Sequence, residues 1–211
     1  MVLCEERSNR VCEIDMTSAQ RKIPTVMTLD EFIAWPGDGE GGRYQLVDGE
    51  LRAMSPASTT HGTIQARLAG LIDRHLEVPG NRCRVMTEPA IAVRVNANMN
   101  LRVPDLGVAC SPDAAGQVTL PDPTLLIELI SPGNRKDTQE NVWAYTTIPT
   151  VVEILVVETT RIEAGLLRRQ SDGSWPHEVA RIGPDDLLEL ASINLTIPLR
   201  DLYAKTYLEA T

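Results

Sequence analysis

The apolar positions of the chain recur with helical spacing in one long segment. Residues 61–77 carry aliphatic side chains three or four positions apart, which predicts an amphipathic helix. Thr28 and Glu31 form the sequence signature of a capping box, so a short helix is expected over Leu29–Ala34. Another helix is predicted at residues 136–146, after a Ser-Pro-Gly-Asn breaker.

Short apolar stretches bounded by glycine, proline and asparagine predict β-strands. The Asp48-Gly49 pair is typical of a hairpin turn within residues 43–54. Residues 124–130 form the densest apolar stretch and predict a buried strand. The other predicted strands are 83–87, 90–95, 106–110, 151–157, 162–169 and 177–182, and a short helix is predicted at 199–208. This order of elements predicts an α/β domain in which helices pack on a mixed β-sheet.

The N-terminal residues differ in composition from the rest of the chain. Residues 1–24 are polar and mixed in charge, and they contain no apolar segment of the kind found in secretory signals. We therefore expect a disordered leader at 1–24 and a single domain at 25–211. The 211 residues, of which 43% are hydrophobic, suffice for one substantial core. No stretch approaches the roughly 18 apolar residues of a membrane helix, so no membrane partner is expected.

The cysteines and the net charge narrow the functional classes. Cys4, Cys12, Cys83 and Cys110 show neither CxxC spacing nor a histidine cluster nearby, which predicts reduced thiols in a cytoplasmic protein. The net charge of −9 argues against a protein that binds nucleic acid by electrostatics alone. It does not exclude a metal-dependent nuclease, whose site is acidic and whose bound cation inverts the local field.

A carboxylate inside the densest apolar stretch is the strongest indication of chemistry. Glu128 lies in the predicted strand at 124–130, where an unpaired charge would be costly or would titrate. Asp105 follows a proline at the end of another apolar stretch and could supply a second ligand. Two converging carboxylates suit a hard divalent cation such as Mg²⁺ or Mn²⁺. The alternative is structural: Glu128 pairs with a buried arginine, and Asp105 caps a strand end.

Two further residues have both a functional and a structural interpretation. Glu88 follows a predicted strand and is either an additional metal ligand or an exposed acid at a strand end. His61 begins the predicted helix and is either a proton shuttle or phosphate contact, or a residue that packs on the preceding loop. Gln65 lies one turn later on the same helix face. Three histidines without an HExxH motif argue against a zinc hydrolase.

A series of short motifs, taken together, resembles the Uma-two family of restriction endonucleases, within the PD-(D/E)XK nuclease superfamily. The motifs are RYQLVDGEL at 43–51, MSP at 54–56, HG at 61–62, TEP at 87–89, VPDL at 103–106, IELISP at 127–132, Tyr145, and IP at 148–149. The resemblance spans residues 27–203. It implies a restriction-endonuclease-like fold, Mg²⁺ dependence and phosphodiester hydrolysis, with Asp105 and Glu128 as the two acids of the superfamily motif.

The sequence departs from this family pattern at the lysine. Strand residues two apart share a face, so the E-x-K lysine would be residue 130, which is Ile130. The family pattern commonly moves this lysine to the following helix, four residues before the tyrosine, and that position is Asn141. Lys136 lies earlier in the same segment and could substitute. Gln45 also stands where the family often has a glutamate.

The resemblance favours a Mg²⁺-dependent endonuclease that hydrolyses DNA phosphodiester bonds. Asp105, Glu128 and Glu88 would bind the metal ion, Lys136 or Asn141 would orient water or phosphate, and His61 would assist. Because cutting two strands with one site each favours two-fold symmetry, a homodimer is expected. Two alternatives stay open. One is a catalytically weak or inactive nuclease-fold protein that binds nucleic acid or protein. The other is a metal-dependent hydrolase of a different phosphate ester.

Overall fold

The computed structural model describes residues 26–209 as helices and strands around a central sheet. The predicted leader at 1–24 lies outside the described residues. The helices and strands, in chain order, are α1 Leu29–Ala34, β1 Tyr44–Val47, β2 Glu50–Ala53, α2 Thr59–Leu76, β3 Arg84–Thr87, β4 Leu106–Ala109, β5 Pro123–Ile130, α3 Arg135–Thr146, β6 Glu153–Glu158, β7 Ala164–Arg168, β8 Ala180–Ile182, β9 Leu187–Leu190 and β10 Leu195–Pro198.

Six strands form the central mixed sheet, in the order β3-β4-β5-β6-β7-β8. Neighbouring strands are antiparallel except for β5 and β6, which are parallel and are connected through α3. The two parallel strands lie at the middle of the sheet and are almost fully buried, as expected for strands covered on both faces. The predicted fold class, a mixed sheet flanked by helices, is confirmed.

The two long helices pack on opposite faces of the sheet. The buried stripe of α2 packs against one face of β5, which contributes Leu125, Ile127 and Leu129. On the other face, Leu126 joins the cluster around Ala144 and Tyr145 of α3. Because strand side chains alternate, Glu128 belongs to the α3 face. None of the helices described is long and apolar enough to cross a bilayer.

A separate two-stranded hairpin, β1–β2, adds a wall beside the sheet. Asp48 and Gly49 both have positive φ angles (50° and 85°), as a two-residue turn of this type requires. Leu46 pairs with Leu101 and is fully buried in a small core with Met27. The predicted hairpin is therefore confirmed, and its apolar face is what holds it to the rest of the molecule.

The prediction and the structure differ at three elements. The strand expected at 90–95 is reduced to isolated bridges at Ala90 and Ile91, because its buried apolar residues pack without a partner strand. The β9–β10 hairpin was not predicted, and it buries Leu188, Leu190 and Leu195 in the core on the α2 face. The C-terminal helix expected at 199–208 is a short 3-10 helix at Leu199–Tyr203.

The cysteine prediction is wrong for one pair, since Cys83 and Cys110 form a disulfide. β3 and β4 pair Arg84 with Ala109, so the two cysteines occupy the next opposite positions of the same antiparallel pair. Their separation of 27 residues in sequence gave no indication of this, because cross-strand register is not visible in spacing. Cys4 and Cys12 lie outside the described residues.

Candidate functional site

The register between β4 and β5 places two carboxylates opposite each other. Leu106 pairs with Ile127 and Gly107 with Leu126, so the next position before β4, Asp105, faces Glu128. Opposite residues of an antiparallel pair share one face of the sheet and lie within side-chain reach. Both acids line a cleft of about 320 Å³. The structure therefore brings together the two acids that the sequence singled out.

Asp105 is held at both carboxylate oxygens. Its Oδ2 accepts a hydrogen bond from the backbone N–H of Leu129 (2.6 Å), and its Oδ1 lies 2.7 Å from Nε2 of His61. His61 is in the first turn of α2, where the side chain of Ser58 caps the helix by accepting from the His61 N–H. One turn on, Gln65 donates to the backbone carbonyl of Asp105 (3.0 Å). The start of α2 thus fixes Asp105 from the side.

Glu128 is held by two donors from α3. Its Oε1 accepts from the hydroxyl of Tyr145 (2.7 Å) and from Nδ2 of Asn141 (3.1 Å), four residues apart on one helix face. The amide oxygen of Asn141 in turn accepts from Nη1 of Arg102 (3.3 Å). The arginine therefore reaches Glu128 only through Asn141. The direct buried ion pair that the structural alternative requires is not formed.

The negative charges of Asp105 and Glu128 are not compensated by nearby positive charge among the described residues. Glu128 is only 4% exposed. Burial first, and then the charge of Asp105, raise the pKa of Glu128 to about 8, although Tyr145, Asn141 and Arg102 all oppose this shift. The pKa of Tyr145 is raised well above its ordinary value by burial and by Glu128, so its hydroxyl stays a donor. A cation near the two acids would relieve this repulsion.

Glu88 lines the same cleft but has a different partner. Its carboxylate forms an ion pair with Arg43. Its backbone N–H donates to the carbonyl of Asp105 (2.9 Å), and its φ angle of 50° turns the chain at this point. Within residues 26–209 no three His, Cys, Asp or Glu side chains lie close enough together to hold a metal ion. The role of Glu88 as an additional ligand therefore stays a prediction.

The two candidates for the displaced lysine are placed very differently. Asn141 is buried, lines the cleft and bonds to Glu128. The side chain of Lys136 is 88% exposed, and its nearest acid is Glu140, 3.9 Å away. Ile130, at the strand position of an E-x-K lysine, is buried. The structure thus brings Asn141 into the site and leaves Lys136 outside the cleft lining.

The walls of the cleft are polar, and the nearby arginines are already paired. Arg43 pairs with Glu88, and Arg52 of the hairpin pairs with Asp137 and Glu140 of α3. Gln45 is buried in the wall, and its Oε1 has no hydrogen-bond partner among the described residues. A bound substrate would therefore have to compete for the arginines.

Two members of the site were not assigned a role from sequence. Tyr145 carries a usable signal, since it lies four residues after Asn141 and so shares its helix face. Arg102 gives no comparable signal. It reaches the site from the segment before β4, across 39 residues of sequence, and only the packed structure shows the contact.

Comparisons with known proteins identify the family and the fold of the chain. A family model described as "Uma2: Putative restriction endonuclease" matches residues 29–200. An uncharacterized protein of Synechocystis sp. is 27% identical over 179 residues, which cover 84% of this chain and 91% of that protein. The crystal structure of a "putative nuclease belonging to DUF820" from Anabaena variabilis superposes with a TM-score of 0.66 at 19% identity, over 84% of this chain and 98% of that one. That structural likeness concerns the fold.

Proposed function

Because the chain belongs to the Uma2 restriction-endonuclease family, we propose that it is a Mg²⁺- or Mn²⁺-dependent endonuclease that hydrolyses DNA phosphodiester bonds. The observation that carries the proposal is the pair Asp105 and Glu128, opposed across β4 and β5 in one cleft. Membership of the family supports a nuclease in general terms. The metal ion and the DNA substrate belong to the proposal.

The residues of the site fit a hard divalent cation. Asp105 and Glu128 offer carboxylate oxygens, which Mg²⁺ and Mn²⁺ prefer. Only Oε1 of Glu128 is engaged by Tyr145 and Asn141, which leaves the second oxygen for a ligand bond. Burial and the charge of Asp105 raise the pKa of Glu128, and a bound cation would counter this shift. When bound, such an ion would neutralise charge on a phosphate oxygen and lower the pKa of an attacking water.

The chain's own side chains would then bind, orient and move protons. Asp105 is fixed by Leu129 and His61, and Glu128 by Tyr145 and Asn141, so neither carboxylate is free to turn. His61 sits at hydrogen-bond distance from Asp105 and is the group best placed to carry a proton to or from a bound water. Glu88 could join as a further ligand if it left Arg43.

Family membership favours a polymer over a small phosphate ester as the substrate. The side chain of Arg43, which lines the cleft, is 51% exposed, so part of the lining is in contact with solvent. Release of Arg43 from Glu88, or of Arg52 from its two acids, would provide contacts for phosphates on either side of the scissile bond.

A second candidate function has an observation in its favour. Asn141 gives a neutral hydrogen bond where the family pattern commonly has a lysine, and two arginines near the cleft, Arg43 and Arg52, are paired with acids. Both features suit a weak or inactive nuclease-fold protein that binds nucleic acid or protein. The measurement of cleavage and metal binding described next distinguishes the two functions.

Cleavage and metal binding are best tested together. Supercoiled plasmid DNA is incubated with the protein in Mg²⁺, in Mn²⁺ and in EDTA, and thermal unfolding is measured with and without Mn²⁺. We expect nicking only with metal, and a rise in the unfolding midpoint with Mn²⁺ because binding to the native state stabilises it. Asp105→Asn should abolish both effects.

Asp185→Asn serves as the matched control, since Asp185 is an exposed acid in the pair with Arg200 and should leave both effects intact. An equal Mn²⁺ response in Asp105→Asn would contradict the metal assignment. No cleavage of any DNA or RNA by wild type would favour the binding function instead.

We also propose a homodimer, for the symmetry reason given above. Among the strands of the 151–182 meander, β6 and β7 are flanked on both sides, so β8 offers the free edge of the sheet. Sedimentation at tens of micromolar should give the mass of two chains. A monomeric mass that persists on addition of DNA and Mn²⁺ would rule out this assembly.

A cytoplasmic location is proposed with it, and the disulfide makes it testable. Disulfides are rare in reducing compartments, so the bridge between Cys83 and Cys110 is the observation against which this location is tested. Acid quenching of cells followed by thiol labelling measures this directly. A pair that stays unlabelled until reduction would argue for an oxidising compartment.

A further inference from the structure

Arg102 is a buried cation without a carboxylate partner. It is 4% exposed, and no acid among the described residues lies within ion-pair distance of it. Among the described residues its side chain makes one hydrogen bond, from Nη1 to Oδ1 of Asn141, while its buried Nε has no partner there. Burial accordingly lowers the pKa of Arg102. Such an arrangement works against folding unless something else requires it.

A second arginine shows what a structural role looks like in the same protein. Arg169 donates from Nε to the carbonyl of Val151 (2.9 Å) and from Nη2 to that of Ile148 (2.7 Å). Its guanidinium also lies 4.8 Å from the ring centre of Trp175. Arg169 therefore joins three segments by well-made contacts. Arg102 makes nothing comparable, so the fold does not account for it.

The hydrogen bond from the side chain of Arg102 controls the orientation of Asn141. A guanidinium can only donate, so it must face the amide oxygen of Asn141. The NH₂ group of the amide is thereby turned toward Glu128, where it donates to Oε1. Without this constraint the amide could rotate and present its oxygen to the carboxylate, which would repel it. Arg102 also adds a positive charge behind Glu128.

We propose that Arg102 is a positioning residue of this site, which fixes the amide of Asn141 for its hydrogen bond to Glu128. The positive charge of Arg102, one residue further away, takes the place of the charge that a lysine at position 141 would bring directly. Its catalytic consequence rests on the proposed nuclease function. Its structural consequence does not rest on that function: Arg102 orients Asn141 in the site and does not stabilise the fold.

The test compares Arg102→Met, Asn141→Lys and the double variant with wild type. For each protein, kcat and KM on an oligonucleotide duplex with Mn²⁺ are measured, together with the thermal midpoint. Arg102→Met should lower kcat by ~10- to 100-fold, the usual effect of losing a group that orients a metal ligand, with KM nearly unchanged. Its midpoint should be equal to wild type or higher, because replacing a poorly paired buried charge with an apolar side chain is often neutral or stabilising.

Asn141→Lys provides the rescue. In the double variant the lysine brings its own charge to the site, so most of the kcat lost in Arg102→Met should return. Arg169→Met is the matched control and should do the reverse, with a lower midpoint and an unchanged kcat. A kcat that falls in Arg102→Met only in step with the midpoint, or that the lysine fails to restore, would overturn the inference.

Failure of the nuclease function would be visible separately, as wild type that cuts nothing. The midpoints then decide about Arg102. A midpoint of Arg102→Met below that of wild type, as low as that of Arg169→Met, would make Arg102 structural and refute the inference. A midpoint at or above wild type would support it.

Discussion

Two buried glutamates on neighbouring strands of the sheet have opposite surroundings. Glu153 of β6 is 1% exposed and is fully compensated: Arg168 donates to its Oε1 at 2.7 Å, and the backbone N–H groups of Ala191 and Ser192 donate as well. Glu128 of β5 receives only neutral donors, and the charge that acts on it most strongly is the carboxylate of Asp105. The charge of Glu153 is compensated within the described part of the protein, whereas that of Glu128 is not.

Burial alone does not separate these two acids, since both side chains are buried. Charge compensation does: the β9–β10 hairpin and Arg168 close over Glu153, whereas Glu128 lines an open cleft with one oxygen unengaged. A buried carboxylate without a compensating cation is therefore the stronger candidate for a ligand site.

The largest effects are expected when Glu128 and Glu153 are each replaced by glutamine. Glu128→Gln should reduce metal-dependent cleavage by on the order of 10²-fold or more, as expected for losing a preorganised electrostatic group, while the metal-free fold keeps or gains stability. Glu153→Gln should leave cleavage unchanged and lower the free energy of unfolding by about 2 kcal/mol, because Arg168 loses a charged partner. Nicking assays measure cleavage, and urea unfolding measures the free energy of unfolding. If the two variants changed both quantities alike, the proposed difference between Glu128 and Glu153 would be wrong.

A smaller effect is expected when a lysine replaces Asn141. Asn141→Lys places an ammonium next to Glu128, and charge-assisted hydrogen bonds are stronger than neutral ones. The rate of plasmid nicking should rise on the order of 10-fold. The matched change Asn134→Lys, elsewhere on the cleft wall, should give no comparable rise. A slower Asn141→Lys enzyme would show that the asparagine is already the better group.

The pH dependence of stability should distinguish the two acids without any substrate. The pKa of Glu128 is about 8 in the folded protein against an ordinary 4.5, so the folded state holds a proton that the unfolded state loses. This contribution is complete below pH 4.5 and disappears as the pH rises toward 8. In EDTA, the free energy of unfolding of wild type should therefore fall relative to Glu128→Gln across this range. A constant difference between pH 5 and 8 would refute the raised pKa.

The smallest effect is expected at Lys136. Its side chain is exposed and its pair with Glu140 is long, so Lys136→Ala should change stability by less than about 1 kcal/mol and leave cleavage as it is. If Lys136→Ala abolishes nicking while Asn141→Lys changes nothing, the role of the lysine belongs to Lys136 and the assignment to Asn141 is wrong.

The sequence predicted those parts of the molecule that depend on local pattern. The apolar stripe of α2, the capping box of α1, the Asp48-Gly49 turn and the buried strand around Glu128 each follow from neighbouring residues, and all are confirmed. The family resemblance is confirmed too, and the structural neighbour agrees with the fold class that the order of elements predicts.

What the sequence could not predict depends on contacts between distant segments. The disulfide follows from the β3–β4 register, the pair of Arg43 with Glu88 joins residues 45 apart, and Arg102 reaches Asn141 from another segment. No local pattern encodes these distances. The exposure of Lys136 is of the same kind, since helical phase at α3 decides it once Glu128 and Tyr145 are in contact.

The opposed placement of Asp105 and Glu128 has a consequence for refolded protein. Because side chains alternate along a strand, slipping β5 by a single residue against β4 would send Glu128 to the α2 face and leave an aliphatic side chain opposite Asp105. A mispaired molecule could keep most of its secondary structure and still lack the two-carboxylate site. On the proposed metal assignment, titration with Mn²⁺ would therefore count correctly paired molecules in a preparation, a quantity that circular dichroism does not give.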